Sequence, residues 1–411
     1  MPLYDKSFRS FVSAQLLGAF NDNLFKQLVL LLAANKLFPG KDMQGLAFAI
    51  FSLPFILFSG IAGDISEKYP KRRIMVLMKW AEIGIMLAGA IALQVKSAPF
   101  LGIVLFVMGV QSAFFGPSKY GGLPELVHPN NLIRANGAVT MTTFLAVLLG
   151  SGLAGPLIDG FGDDLWVTGI VCIAIAGIGT WAAHGIRHVP AQKPDHPLPR
   201  QPFGNLLTTI RQLKKQDGLM GLVVLNSVFW FNSAVINQGI IGLGGEAYLG
   251  IGEGEQTKLT LVLATVSASI GLGAFLAPGL SKRFGPGNTA LGGAVVMFAS
   301  QLCFNLVGPV ISRAEGGLTL MHAVGAVTGI AGACLAIPIT AFLQHAPQEG
   351  MKGMTFGVTN FMNFLFMFLS GVYYLGVPVL GVSPALAMTG SGAIMLVILA
   401  FNLKRLKAMS F

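Results

Sequence analysis

The chain has 411 residues, of which 54% are apolar and 11% charged, with a net charge of +10 and a mean hydropathy of +0.70. That balance excludes a soluble globular domain, and basic residues dispersed between apolar runs argue against a nucleic-acid partner. Cys172, Cys303 and Cys334 each fall inside an apolar run, which excludes a disulfide framework and makes them small packing residues.

Twelve apolar segments are predicted, at 9–37, 43–66, 73–95, 97–118, 132–158, 165–187, 219–248, 256–280, 287–308, 317–345, 353–377 and 383–403. Most reach the roughly 20 residues that a helix needs to cross a bilayer. The first is too long for the core of a cleavable leader and ends without a small-residue cleavage site, so it is expected to stay as a helix.

That first segment carries Gln15, Asn21, Asp22, Asn23, Lys26 and Gln27. A charge at the centre of a membrane helix costs about 3 kcal/mol or more, so Asp22 and Lys26 are functional candidates by default. They are four apart and can pair, with Gln15 on nearly the same face, while Asn23 and Gln27 form a second polar stripe about 100° round. The expectation is a headgroup or ion site facing a cavity. The structural alternative is an ion pair that fixes this helix against its neighbours.

The second segment ends in Gly60-Ile61-Ala62-Gly63-Asp64, followed by Lys68, Lys71, Arg72 and Arg73. This resembles a transporter loop signature, in which Asp64 would hold neighbouring helix ends through Arg or Lys. Lys79 and Glu82, three apart in the third segment, read as a salt bridge or gate element. The fourth segment is expected to stop at Pro117, make a polar turn through Leu123-Pro124-Glu125, and re-enter after Arg134-Ala135-Asn136-Gly137. In the fifth, Gly150, Gly152, Gly155, Pro156 and Gly160 loosely match the Gly-Pro signature of exporters, although close helix packing explains them equally well. His184 and His188, beside Arg187, read as solvated helix-end cations rather than a metal site.

Pro190, Pro194, Pro197, Pro199 and Pro202 rule out a continuous helix after the sixth segment. Residues 203–216 are expected to form a short amphipathic helix on the membrane surface. Leu206, Leu207, Ile210 and Leu213 form one face, with Arg211, Lys214 and Lys215 opposite. The seventh segment offers Asn226, Ser233 and Asn237 at helical spacing, with Asn232 and Gln238 nearby, either as glue between helices or as site residues.

Basic residues alternate strongly between the two sides of this topology. Twenty fall on the side of the termini, whereas only Lys36, Lys41, Lys96, Lys258 and Arg313 fall opposite. Short basic loops stay cytoplasmic, so both termini are expected on the cytoplasmic side.

The chain is predicted to divide into a first half at 1–187, a linker at 188–217 and a second half at 218–411. A weak repeat supports this: the run from Gly116-Pro117-Ser118 to Asn136-Gly137 returns as Ile337-Pro338-Ile339 to Phe356-Gly357. Phe20-Asn21-Asp22 is echoed by Phe231-Asn232-Ser233. Two such halves about an axis along the membrane normal are the architecture of the major facilitator superfamily. The predicted fold is therefore an all-α polytopic membrane protein with twelve transmembrane helices in two six-helix halves.

The run Gly116-Pro117-Ser118-Lys119-Tyr120-Gly121-Gly122-Leu123-Pro124-Glu125-Leu126, with Arg134-Ala135-Asn136-Gly137 and Gly18-Ala19-Phe20-Asn21-Asp22-Asn23, resembles the bacterial lysophospholipid transporter family. It is similar also to the membrane domains fused to some lysophospholipid acyltransferases. The resemblance implies flipping of lysophospholipid, chiefly lysophosphatidylethanolamine, from the outer to the inner leaflet, with reacylation on the cytoplasmic side. Carried over by motif, Asp22, Asn23, Lys119, Tyr120 and Glu125 become site residues. The resemblance also implies an intramembrane Arg in the seventh helix, where this chain has Asn237. The chemistry is coherent, since a zwitterionic headgroup needs a cation for its phosphate and a carboxylate for its amine. Lys26 or Lys119 suits the first role and Asp22 or Glu125 the second.

Two rival functions remain at this stage: a proton-coupled exporter of drugs or other amphiphiles, and a membrane scaffold that docks a cytoplasmic acyltransferase through 188–217. No histidine has an Asp five positions later, and no Gly-Lys-Ser phosphate loop is present. The chain is therefore expected not to be an enzyme and to need no cofactor. Its partners would be lysophospholipid, membrane lipids and an acyltransferase.

Overall fold

Exposed apolar side chains recur every three or four residues along the long helices, the reverse of a soluble protein. In Lys71–Val95, Leu77, Trp80, Leu87, Ile91 and Val95 are exposed, while Met75, Lys79, Glu82, Met86, Gly89 and Leu93 are buried. A helix that turns its apolar stripe outward and its polar residues inward is built for lipid.

The computed structural model describes residues 5–35, 37, 41–128, 131–188, 190–191, 194, 204–215, 218–245, 247–252, 254–307, 315–345 and 352–409. The first group of helices is α1 (Lys6–Asn35), α2 (Gln44–Lys68), α3 (Lys71–Val95), α4 (Ala98–Leu126), α5 (Leu132–Phe161) and α6 (Trp166–His184). Next come α7 (Gly204–Lys214), α8 (Leu219–Leu243), α9 (Gln256–Phe284) and α10 (Pro286–Cys303). The last are α11 (Glu315–His345), α12 (Lys352–Val379), α13 (Pro384–Phe401) and α14 (Leu403–Lys407). Among the described residues, 12 helices are long and apolar enough to cross a membrane, and they fall on the twelve predicted segments as α1–α6 and α8–α13. This is a multi-pass membrane protein.

Two compact units emerge from the packing. Met1–Val29 groups with Ile50–Gly204, and Leu30–Ala49 groups with Asn205–Phe411. In the first unit α3 lies against α4 and α6. Gly169 of α6 sits so close to Ala90 of α3 that an added Cβ would lie 2.4 Å from the Ala90 Cβ. Gly150 of α5 approaches the α1 backbone in the same way, with an added Cβ 2.5 Å from the Phe20 carbonyl oxygen, so this member of the fifth-segment glycine set serves close packing. Phe8, Phe11, Met75, Leu123, Leu126 and Ile186 belong to a buried cluster at the end of this unit that carries the basic loops.

In the second unit α8 packs on α12 and α13, and α11 packs on α9 and α10. Gly293 and Gly329 set the backbone approaches of α10 to α11 and of α11 to α9. At the start of α2, Gly45 meets Gly371 of α12, and an added Cβ on either would lie 2.6 Å from the carbonyl oxygen of the other.

One sequence expectation fails here. The fourth helix does not stop at Pro117; α4 continues through Pro117 and Pro124 to Leu126. The reason lies in what receives its end. Arg187 Nη2 donates to the carbonyls of Glu125 (2.9 Å) and Leu126 (3.0 Å), and Lys71 Nζ reaches Glu125 Oε1 at 2.5 Å. Cations at a helix C-terminus satisfy its free carbonyls and its dipole, which offsets the hydrogen bonds lost at the prolines. The amphipathic segment spans Gly204–Lys214, with Leu213 buried and Arg211, Lys214 and Lys215 exposed.

Candidate functional site

The polar residues of α1 point in several directions and take different partners. Gln15, fully buried, donates from Nε2 to Thr142 Oγ1 at 2.5 Å and accepts at Oε1 from Thr143 Oγ1 at 3.2 Å, both on α5. Asn21 donates from Nδ2 to Glu82 Oε1 of α3 (2.9 Å) and to the Cys172 carbonyl of α6 (3.2 Å). Asp22 Oδ2 accepts from Ser112 Oγ of α4 at 2.5 Å, and the same Oγ lies 3.0 Å from Gln111 Oε1. Lys26 Nζ donates to Asn23 Oδ1 at 2.8 Å and lies 5.3 Å from the centre of the Phe51 ring on α2. Asn23 in turn donates to the Ala19 carbonyl at 2.7 Å. The charges of Asp22 and Lys26 also attract one another. Helix periodicity explains the spread: consecutive residues rotate by 100°, so residues 21, 22 and 23 face three different neighbours.

Lys79 and Glu82 form a fully buried ion pair, Nζ to Oε2 at 2.5 Å, and Asn21 joins it from α1. Small residues make room for the long lysine. An added Cβ on Gly179 of α6 would lie 2.7 Å from Lys79 Nζ, and one on Gly18 of α1 would lie 3.4 Å away. The pair thus sits where α1, α3 and α6 meet.

Lys119, Tyr120 and Glu125 stand apart from this group. They lie 7 to 13 residues beyond Ser112 on α4, or about 10–20 Å along the helix. Lys119 Nζ lies over the exposed Tyr120 ring at 4.5 Å. Glu125 is engaged with Lys71, and an added Cβ on Gly121 would meet Lys71 Cε at 2.8 Å. Of the basic residues that trail Asp64, Lys71 grips α4, while Arg72 donates to the carbonyls of Ile186 (2.5 Å) and His184 (3.0 Å) at the C-terminal end of α6. Asp64 itself is half-buried. His184 makes a ring-nitrogen contact of 2.8 Å with the Thr180 carbonyl and stands edge-on to Trp80.

In the second unit, Asn232 is fully buried; its Oδ1 accepts from Gln301 Nε2 (3.1 Å) and Ser391 Oγ (2.6 Å), on α10 and α13. Asn226 and Ser227 each meet the Asn363 amide of α12, at 3.0 and 2.9 Å. Thr340 Oγ1 of α11 donates to Asn226 Oδ1 at 3.2 Å. Ser233 and Asn237 are half-buried, and Asn237 Oδ1 is a buried atom without a hydrogen-bond partner among the described residues. Phe229 and Phe231 are buried, and Trp230 is exposed.

Sequence reasoning singled out the α1 residues but missed their partners Ser112, Thr142 and Thr143, and also Asn363, Thr340 and Gln301. Polar runs inside apolar segments, Gln111-Ser112 and Thr142-Thr143, were the available signal.

Twelve apolar helices with buried polar residues inside each of two units define a polytopic membrane protein of the carrier type. The chain belongs to the Major Facilitator Superfamily, which matches residues 11–371. It is similar to the lysophospholipid transporter LplT of Klebsiella pneumoniae subsp. pneumoniae, at 29% identity over 97% of this chain and 95% of the relative. It is also similar to lysophospholipid transporter LplT of Yersinia pestis, at 27% identity over 93% and 90%. Among solved structures, the fold is like that of a POT family transporter, with a TM-score of 0.76, 12% identity, and 97% and 95% of the two chains covered. It is also like that of the nucleoside transporter NupG, with a TM-score of 0.73, 12% identity, and 99% and 100% covered.

Proposed function

We propose that this chain carries lysophospholipid from the outer to the inner leaflet of a bacterial inner membrane, by alternating access and with its termini in the cytoplasm. The observation that carries this reading is the full-length similarity to lysophospholipid transporters, at 29% identity over 97% of the chain. The α1 residues Asp22, Asn23 and Lys26 support it with the right chemistry.

A zwitterionic headgroup presents an anionic phosphate and a cationic amine. Lys26 offers the ammonium for the first and Asp22 the carboxylate for the second. Asp22 Oδ2 is already bonded to Ser112, which fixes the carboxylate, while Oδ1 is buried without a hydrogen-bond partner among the described residues. That leaves one oxygen for an amine. Gln15 would act by positioning α5 on α1. Lys119 with Tyr120 would meet the headgroup near the far end of α4, and Glu125 would act there through Lys71. An acyltransferase that consumes the delivered lysolipid fits as a cytoplasmic partner.

Uptake of labelled lysophosphatidylethanolamine by proteoliposomes tests the proposal, with native protein compared to Asp22→Asn. The expected result is native flux well above empty liposomes, reduced at least about ten-fold by the substitution, because a neutral amide cannot replace the charge-assisted bond. Native protein that moves no lysolipid would overturn the assignment, and native flux that Asp22→Asn leaves intact would remove Asp22 from the site.

A further inference from the structure

One residue of α1 differs from all its polar neighbours. Gln27 is fully buried, yet neither Nε2 nor Oε1 has a hydrogen-bond partner among the described residues. Gln15 uses both ends of its amide on α5, and Asn23 uses its own on Ala19 and Lys26. A buried amide with both ends idle is rare in proteins because each unmade bond forfeits hydration without replacement. Within a bilayer no solvent makes up the loss.

Position links Gln27 to the headgroup residues. Asn23 and Gln27 are four apart and share a helix face, with Cβ atoms about 5–6 Å apart. Lys26 places its ammonium 2.8 Å from Asn23 Oδ1. A cation and an idle amide therefore border one patch of α1.

Hydrogen-bond inventory narrows what the amide can read. A phosphate oxygen or an ester carbonyl only accepts, and an ammonium only donates. A hydroxyl does both, and a primary amide meets it with an acceptor and a donor on one group. In a lysophospholipid the free glycerol hydroxyl is such a group, and in a diacyl phospholipid that oxygen is esterified and has no proton to give.

We propose that Gln27 recognises the free glycerol hydroxyl of the lysolipid, Oε1 accepting its proton and Nε2 donating to its oxygen, and so selects lysolipid over diacyl lipid. This rests on the lysophospholipid reading above. It adds the group by which the carrier distinguishes its substrate from the surrounding bilayer.

The test compares proteoliposome flux of a 1-acyl lysophosphatidylethanolamine with that of its 2-deoxy analogue, for native protein, Gln27→Met and Gln27→Glu. Methionine keeps the length and unbranched shape of the side chain and removes both hydrogen-bonding ends; glutamate keeps an acceptor. Native protein is expected to prefer the hydroxylated substrate by at least about ten-fold. Gln27→Met is expected to bring that ratio close to one, with a melting temperature equal to or above native, because an unpaired buried amide has been removed. Gln27→Glu is expected to retain part of the preference.

A Gln27→Met protein that keeps the native ratio overturns the proposal. So does one that melts lower and loses both fluxes in proportion, since the amide would then be a packing residue. Native protein that transports both substrates equally overturns it while leaving the carrier assignment intact. Native protein that transports neither overturns the carrier assignment and this inference together.

Discussion

The two units fasten α1 and α8 in the same way but with different chemistry. In the first unit Asn21 ties α1 to α3 through Glu82 and to α6 through the Cys172 carbonyl. In the second, Asn232 ties α8 to α10 through Gln301 and to α13 through Ser391. Even the space-making glycines correspond, for Gly179 of α6 admits Lys79, and Gly392 of α13 admits Gln301, whose Oε1 would lie 2.0 Å from an added Cβ. The difference is charge. The first fastening contains a buried ion pair and is followed by Asp22, whereas the second is neutral throughout and is followed by Ser233. A buried charge is costly and helps a fold only when paired, so a neutral amide already does the structural work in one unit. The ion pair of the first unit is therefore not required for a fastening of this kind, which amide and hydroxyl groups make alone in the second.

This comparison is broken most directly at Glu82. Replacing it by Leu leaves Lys79 buried without its partner, for an expected loss of roughly 3–5 kcal/mol, whereas Lys79→Met combined with Glu82→Leu should recover most of it. Thermal unfolding in detergent measures both; if the double substitution is as damaging as the single one, the ion pair is not what the site depends on. Gln301→Leu is the matched change in the second unit. It removes one of two donors to Asn232 Oδ1 while Ser391 remains, so about 1 kcal/mol is expected. A loss as large as that at Glu82 would erase the distinction between the units.

The smallest effect comes from the one acid in the described part of the α1–α2 connection. Asp42 accepts from Gln44 N (3.0 Å) and Gln44 Nε2 (2.7 Å), but burial outweighs these bonds and raises its pKa above the ordinary 3.8. The folded protein then holds this proton more tightly than the unfolded chain. Its contribution is fully present below pH 3.8 and is lost as pH rises from there through the folded value. Asp42→Asn is expected to raise the melting temperature slightly at neutral pH and to flatten its decline above pH 3.8. A native protein whose melting temperature rises over that range would contradict the assignment.

The spans, their number and the superfamily were legible because lipid imposes length and apolarity directly on the sequence. The correspondence of Asn21 with Asn232 was legible too, as an echo of three residues. What those asparagines bind was not. Whether Asn21 meets Glu82 or a different helix depends on rotations and crossing angles fixed by glycines such as Gly150 and Gly169, and hydropathy is silent on those. The continuation of α4 past Pro117 was hidden for a similar reason. Its end is secured by Arg187 and Lys71, which are distant in sequence. For the candidate site, α1 drew notice because charges in an apolar run stand out, while Ser112 and Thr142 are polar too weakly to stand out alone.

The meeting of Gly45 with Gly371 has a consequence of another kind. Neither residue has a side chain, so neither has rotamers to freeze where the backbones touch. Attraction across such a seam is dispersion between main-chain atoms, which fades within an ångström or two of separation. The junction is therefore short-ranged, nearly free of side-chain entropy and intolerant of a single added methyl group.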